Sequence, residues 1–389
     1  MAPGKDQTGC GCEAEWLPSG GIGLERMLSS IGLATRTVNL EMYIFSRGTL
    51  GEDFREALVH AAERGVKVRV LLDALGSGGV DEGFWRTLTR AGGEVRWFHR
   101  FHSALALVRD HRKLLTCDGR VAFVFGWNIS AEYDGDGVET GWRDCGVVLE
   151  GEAGRVLDRL FDEQFEGAER RQPWSARLRR RSGQQIAECG DRVQLLPVTP
   201  GRGTSNLTES ILSDLDMAMR RGGEVVLVTP YFLPTPILRR AMRRTVSGGR
   251  AELTVILPEL NDVGLARLAS QRLYTGLLGA GIRIREYQPK VLHAKVLLFP
   301  HAVYVGSSNL DPRSLHLNFE LMVRLTGERV LEQARADVAD LKARSRVVDR
   351  LGWRRSRGWV QRLREQWAYW VLYRMDPWVT SRAAGPVRG

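Results

Sequence analysis

Lysine is scarce in this chain: six residues against fifty arginines, in a sequence of 389 with a formal charge of +10. Two of the six, Lys113 and Lys295, each stand two residues after a histidine. Where arginine otherwise supplies the positive charge, this favours a compact ammonium at those two places. Cysteine is sparse as well. Five residues (Cys10, Cys12, Cys117, Cys145 and Cys189), odd in number and scattered, argue against a disulfide framework and suit a reducing compartment. Cys10 and Cys12 make a lone CxC, too little for a metal site, while Cys117 and Cys145 fall in apolar stretches where small core residues belong. No run of ~18 apolar residues occurs, so no membrane-spanning helix is expected. The opening MAPGKDQTGCGC lacks an apolar signal-peptide core. No GxxxxGK loop and no clear metal-ligand cluster are present, so neither cofactor nor metal is expected. What remains is an ordinary globular composition, 43% hydrophobic and 26% charged, long enough for two domains. Its positive charge suits an anionic partner: lipid headgroups, nucleic acid or a phosphorylated substrate.

One stretch is written twice. HRKLLTCDGRVAFVFGWN runs from His111 to Asn128, and HAKVLLFPHAVYVGSSN from His293 to Asn309. Each opens on His-x-Lys, passes through apolar residues to a turn, and returns to an asparagine. Read as β-hairpins, they put His111 and Lys113 on one face, as they do His293 and Lys295. Asn128 and Asn309 come back to the level of the histidines. Asp118-Gly119 is the turn of the first copy, and Pro300-His301 occupies the corresponding place in the second. At ~3.3 Å per strand residue the turn lies roughly 23 Å from the histidine, so Asp118 reads as a turn residue.

The surroundings of the hairpins repeat too. Strand and helix alternate ahead of each, which predicts an α/β layer architecture. Val38–Phe45, with Tyr43, matches Val225–Phe232, with Tyr231; a helix over 50–64 matches one over 237–246; and strand 66–73 matches strand 253–258. The chain therefore divides into a flexible start (1–15), a first domain (16–168), a basic linker (169–190), a second domain (191–349) and a tail (350–389). The expected fold is two α-β-α sandwiches with mixed sheets, related by a pseudo-twofold axis, with the site at their interface. Counting back from Gly151 and Gly327, the closing strands place Asp144 and Glu320 at matching positions. Glu139 competes with Asp144 by count but falls in a Gly- and Asp-rich loop.

The paired His-x-Lys hairpins resemble the phospholipase D superfamily. WRD at 142–144, TPYF at 229–232 and SSNLDPRSLHLNFE at 307–320 are similar to bacterial cardiolipin synthase, and the resemblance covers 16–349. It implies exchange of an alcohol on a phosphodiester: transfer of a phosphatidyl group between phosphatidylglycerol molecules with release of glycerol. On that footing His111 is the nucleophile, forming a phosphohistidine, and His293 is the general acid/base. Lys113, Lys295, Asn128 and Asn309 hold the phosphate oxygens, and Asp144 and Glu320 fix the imidazole tautomers. Ser307 is expected at the substrate pocket, and Tyr43 and Tyr231 either line that pocket or pack in the core. Arg109, Arg143 and Arg313 contact headgroup phosphate or, alternatively, form structural ion pairs. Hydrolytic phospholipase D action, a nuclease of the same superfamily and a non-catalytic lipid scaffold are the rival readings.

The tail has its own texture, with five of eleven tryptophans beyond Leu351. Trp359, Leu363, Trp367 and Trp370 recur at helical spacing. They form either a membrane-contact face lying among headgroups or a face docked on the domain. The expected partner is an anionic phospholipid surface rather than nucleic acid. The expected location is the cytoplasm, peripherally bound to the inner face of the cell membrane.

Overall fold

The computed structural model describes residues 12–99, 108–169, 187–189, 192–201 and 203–375. Expectations for the extreme N-terminus, for most of the linker and for the chain after residue 375 lie outside it. The first half runs β1 (Glu13–Leu17), α1 (Gly20–Leu33), β2 (Thr37–Met42), α2 (Thr49–Glu63), β3 (Lys67–Asp73), α3 (Arg86–Arg90), β4 (Glu94–Phe98), β5 (Leu114–Cys117), β6 (Val121–Phe125), β7 (Gly146–Glu150) and α4 (Glu152–Glu169). The second half opens with β8 (Ala187–Cys189), β9 (Val193–Val198), α5 (Asn206–Arg221), β10 (Gly223–Val228), α6 (Pro236–Ser247), β11 (Ala251–Pro258), α7 (Gly264–Gly279) and β12 (Arg283–Tyr287). It closes with β13 (Val296–Phe299), β14 (Ala302–Gly306), α8 (Pro312–His316), β15 (Glu320–Leu325), α9 (Glu328–Ala343) and β16 (Ser345–Val347). The tail adds α10 (Arg350–Arg355) and α11 (Trp359–Trp370).

The first sheet is ordered β1-β7-β6-β5-β2-β3-β4; the second, read from its far edge, is β8-β9-β15-β14-β13-β10-β11-β12-β16. Strip β8 and β16 from the edges and the orders coincide. In both sheets three parallel strands are extended by antiparallel ones that include the hairpin. The mixed, duplicated α/β fold read from the sequence is thus present. Two boundaries move. The chain is already a strand from Glu13, inside the stretch expected to be flexible, because β1 pairs along the whole of β7. Ala187–Cys189, assigned to the linker, pairs with β9. The strand expected through Phe45 stops at Met42; Phe45 makes only an isolated bridge to Ile129, which turns Tyr43 out of the sheet.

One hydrophobic core is shared by both halves. Leu71, Phe98, Val124, Leu149 and Phe161 of the first pack with Val226, Tyr287, Val303, Val323 and Leu331 of the second. Each half keeps a further core of its own on the other side of its sheet. Because central strands such as β3 and β11 are buried on both faces, they read as continuous apolar runs.

The two hairpin turns are anchored differently. Asp118 adopts a left-handed φ of 58°, and its carboxylate accepts from the backbone N–H groups of Thr35, Arg36 and Thr37 and from the Thr35 hydroxyl. Partial burial pushes its pKa up, but these donors outweigh it and hold the carboxyl below its usual range. Asp118 is a turn clamp at the end of the sheet away from His111. In the second copy the Pro300 ring packs on Gly223 and its carbonyl accepts from Arg335, while His301 pairs with Asp214.

Candidate active site

Four isolated bridges place the site. Asp110 pairs with Phe319, and Leu292 with Arg143. The next residues along are His111 and Glu320 in the first pairing, and His293 and Asp144 in the second. The backbone repeats as well: His111 N–H donates to the Phe319 carbonyl at 2.9 Å, and His293 N–H to the Arg143 carbonyl at 2.7 Å. The other two bridges, Phe45 to Ile129 and Phe232 to Leu310, each fix the residue after Asn128 or Asn309. These are the marks of a pseudo-twofold axis through the site.

The consequence is a crossed pairing. His111 Nδ1 lies 3.0 Å from both Glu320 carboxylate oxygens, and His293 Nδ1 lies 2.7 Å from Asp144 Oδ2. Each half's carboxylate therefore orients the other half's imidazole and leaves Nε2 as the reactive nitrogen. Glu139 is exposed in its loop, so Asp144 is the partner the fold selects. Lys113 Nζ donates to its own His111 carbonyl at 2.9 Å, and Lys295 Nζ lies against the His293 ring, 2.6 Å from Nδ1 and 3.2 Å from Nε2. Both lysines, both asparagines and both carboxylates are buried.

Burial governs the electrostatics. Loss of water, with Lys113 and Lys295 close by, holds His111 well below the ordinary imidazole range. Burial and then Lys295 push His293 down to about 4. Burial lowers Lys113 to about 7 although Glu320 pulls the other way, and it raises Glu320 to about 8 against the pull of Lys113. The charge of Lys295 adds to the depression of Lys113, so a phosphodiester anion beside Lys113 would favour its ammonium form and the site gains protons with its ligand.

The remaining expected residues divide. The Tyr43 ring meets His111 edge-on at 4.7 Å between centroids, and Lys113 Nζ lies over it at 5.2 Å. The Tyr231 hydroxyl donates to Asp262 at the rim. Ser307, expected at the substrate, donates its hydroxyl to Glu320 and so positions the carboxylate. Arg109 and Arg143 form the ion-pair alternative: buried Arg109 reaches Asp73 at 3.3 Å, and buried Arg143 is clasped by Asp337, across the junction of the halves. Arg313 acts on the site through its charge, adding to the depression of His111. Asn309 Oδ1 is buried with no hydrogen-bond partner among the described residues. Such an orphan acceptor suits a hydroxyl or amine donor on a ligand.

One residue escaped the sequence reading. Tyr133, in the 3₁₀ turn Ala131–Tyr133, takes a hydrogen bond from Asn128 Nδ2 at 3.0 Å and places its hydroxyl 3.4 Å from His293 Nε2. Trp142 packs beside it. No repeat flagged Tyr133, because the second half has no counterpart at that position. A tyrosine five residues past the motif asparagine was the only signal. Among the described residues no cluster of three His, Cys, Asp or Glu side chains is disposed to hold a metal ion.

Two crossed His–carboxylate pairs, two lysines and two asparagines around one point define a phosphodiester-exchange site of the phospholipase D class. The family model described as "Cardiolipin synthase, PLD-like domain" matches residues 27–150 and 211–342, and the chain belongs to this family of enzymes. Cardiolipin synthase 1 of Bacillus anthracis is 28% identical over 87% of this chain and 67% of its own length. Cardiolipin synthase A of Proteus mirabilis is 30% identical over 89% of this chain and 72% of its own. Against the first of these relatives, then, the chain spans about two thirds of the full length (67%). Among solved structures, phosphatidylserine synthase of Haemophilus influenzae Rd KW20 shares the fold, with TM-score 0.71 over 94% of each chain and 12% identity.

Proposed function

We propose that the protein is a phosphatidyltransferase that makes cardiolipin from two phosphatidylglycerol molecules. His293, held near a pKa of about 4 by burial and Lys295 in the unliganded site, takes a proton at Nε2 as the anionic diester binds. His111 Nε2 attacks phosphorus, and the P–O bond to the glycerol headgroup breaks as His293 delivers that proton to the departing oxygen, releasing glycerol. His293, now neutral, takes the proton from the hydroxyl of a second phosphatidylglycerol. That oxygen attacks the phosphohistidine, and His111 leaves unmodified. Lys113 and Lys295 balance the charge on the non-bridging oxygens. The observation that carries this reading is the crossed pairing, which joins an imidazole and a lysine from each half in a single buried site. The choice of His111 as nucleophile is supported by its greater accessibility, 13% against 6% for the His293 side chain, and by the Tyr133 hydroxyl beside His293 Nε2. The Asn309 acceptor has the right chemistry for a glycerol hydroxyl.

The enzyme acts peripherally, at the cytoplasmic face of the cell membrane. No described helix is long and apolar enough to cross a bilayer. The outward face of α11 supplies a contact, with Trp359 75% and Trp367 60% exposed beside Leu363 and Trp370. Incubation of purified protein with phosphatidylglycerol vesicles and EDTA, followed by mass spectrometry, tests the reading. Cardiolipin with equimolar glycerol is the expected outcome, lost in His111→Ala. Phosphatidic acid alone would make the protein a hydrolase, and no turnover would remove the proposal.

A further inference from the structure

The mouth of the site carries a second pair of matching features that the chemistry above does not use. β3 makes its last pairing through Asp73 with Phe98, and β11 through Pro258 with Tyr287. Two residues beyond each of these positions stands a leucine with its side chain in solvent: Leu75 is 67% exposed and Leu260 53%. They are equivalent under the pseudo-twofold and lie at the strand ends from which the catalytic residues project. Each leucine also sits on a loop that braces the pocket tyrosine of its own half. In the first, Asp73 caps the N–H groups of Leu75 and Gly76, Gly76 lies tight against the Tyr43 carbonyl, and the Ser77 hydroxyl donates to that carbonyl. In the second, Asn261 donates to the Pro230 carbonyl and Asp262 receives the Tyr231 hydroxyl.

The second half widens this apolar rim. Val263 and Ile237 are exposed where α7 and α6 begin, at the same edge of the sheet. The tail returns there too, since Arg239 in the first turn of α6 stacks over Tyr369 and Tyr373. Ordered loops rarely hold large aliphatic side chains in water on both sides of a polar cleft without a partner to cover them. A bilayer fits, because both rims can enter one flat surface together and the chain's net charge of +10 favours an anionic one.

Resting on the phosphatidyltransferase reading, we infer that the mouth of the site docks face-on to an anionic phospholipid bilayer. Leu75 on one lip, and Leu260 with Val263 on the other, enter the headgroup layer. Docking on both lips seals the cleft against bulk water while a lipid headgroup rises between the two tyrosine-bracing loops.

The test combines Leu75→Ser, Leu260→Ser and Val263→Ser in the full chain. It measures sedimentation with phosphatidylglycerol vesicles, and turnover on those vesicles and on short-chain phosphatidylglycerol dispersed below its micelle threshold. Leu33→Ser is the control: Leu33 is 77% exposed but precedes β2, at the opposite end of the sheet. The triple variant is expected to bind vesicles at least roughly tenfold more weakly and to lose vesicle turnover at least that much more than turnover of dispersed lipid. Leu33→Ser should match the wild type. Wild-type vesicle binding and turnover in the triple variant would overturn the docking face and leave the enzyme reading standing. So would equal losses on both lipid forms, which would assign the loops to the pocket instead. Should the wild type turn over neither lipid, the enzyme reading fails, and sedimentation alone then decides the docking face.

Discussion

Lys113 concentrates the physics of the site in one side chain. Burial lowers its pKa to about 7, so in the unliganded enzyme it loses its charge as pH rises through neutrality. An anionic diester binds the ammonium form. kcat/KM, which reports free-enzyme ionisations, is therefore expected to decline above about pH 4 as His293 loses the proton it donates, and to fall more steeply above about pH 7 as Lys113 loses its charge. kcat should fall at higher pH, because bound phosphate stabilises the ammonium. Arginine stays charged throughout, so Lys113→Arg should remove this alkaline limb even if it lowers the rate; a limb that stays in place would assign it elsewhere. Tyr133 is a positioning residue. Its hydroxyl links Asn128 to His293 Nε2, and Tyr133→Phe should cut kcat by roughly 10–100-fold while leaving the thermal midpoint nearly unchanged and KM little affected. Tyr133's role follows from no motif. The lysine was legible as an HxK member, but its lowered pKa comes from burial by residues far away in sequence.

At the scale of elements, the hairpins and the tail make separate predictions. Asp118 gathers three backbone N–H groups at the start of β2, and an asparagine there keeps one acceptor oxygen and tolerates the left-handed φ. Asp118→Asn is expected to cost about 1–2 kcal/mol in denaturant unfolding, with turnover retained. Since the Asp118 pKa is held below the usual carboxylate value, its stabilisation is full above about pH 4 and fades as pH falls through its folded pKa. Complete loss of turnover at normal stability would instead give it a chemical role. The tail helix is two-faced: Ala368 and Glu365 are buried toward the domain, whereas Trp359, Leu363, Trp367 and Trp370 point outward. The periodic apolar positions are thus not the face docked on the domain; they form the outward face, the one proposed above to meet a membrane. Deleting the tail would remove Trp353 and uncover Tyr274, against which it packs, so substitution is the cleaner experiment. Changing the four outward residues to serine should reduce vesicle sedimentation while thermal stability holds within about 0.5 kcal/mol, the usual range for surface changes.

For the whole molecule, the decisive feature is the junction of the halves. Arg143 of the first half is buried against Asp337 on α9 of the second, and its backbone carries both the bridge to Leu292 and the neighbour of Asp144. Arg143→Leu leaves Asp337 buried without its cation, and a loss of about 3–5 kcal/mol is expected. Pairing it with Asp337→Leu should recover much of that stability. If the double variant is no more stable than the single one, the clasp is not an ion pair in energetic terms. Turnover should follow stability, because a slip at this junction separates His293 from the carboxylate that orients it.

The repeated His-x-Lys hairpins, the α/β alternation and the matching carboxylates were all written in the sequence, because strand periodicity and internal duplication are local and survive without a fold. The roles of Arg109, Arg143 and Ser307 were not, since whether a buried polar group meets a ligand or a neighbour depends on contacts made across hundreds of residues. The crossing of each carboxylate to the opposite imidazole was likewise settled only by tertiary structure. A strand pattern shows which residues share a face; only the packing of two halves about an axis shows which faces meet.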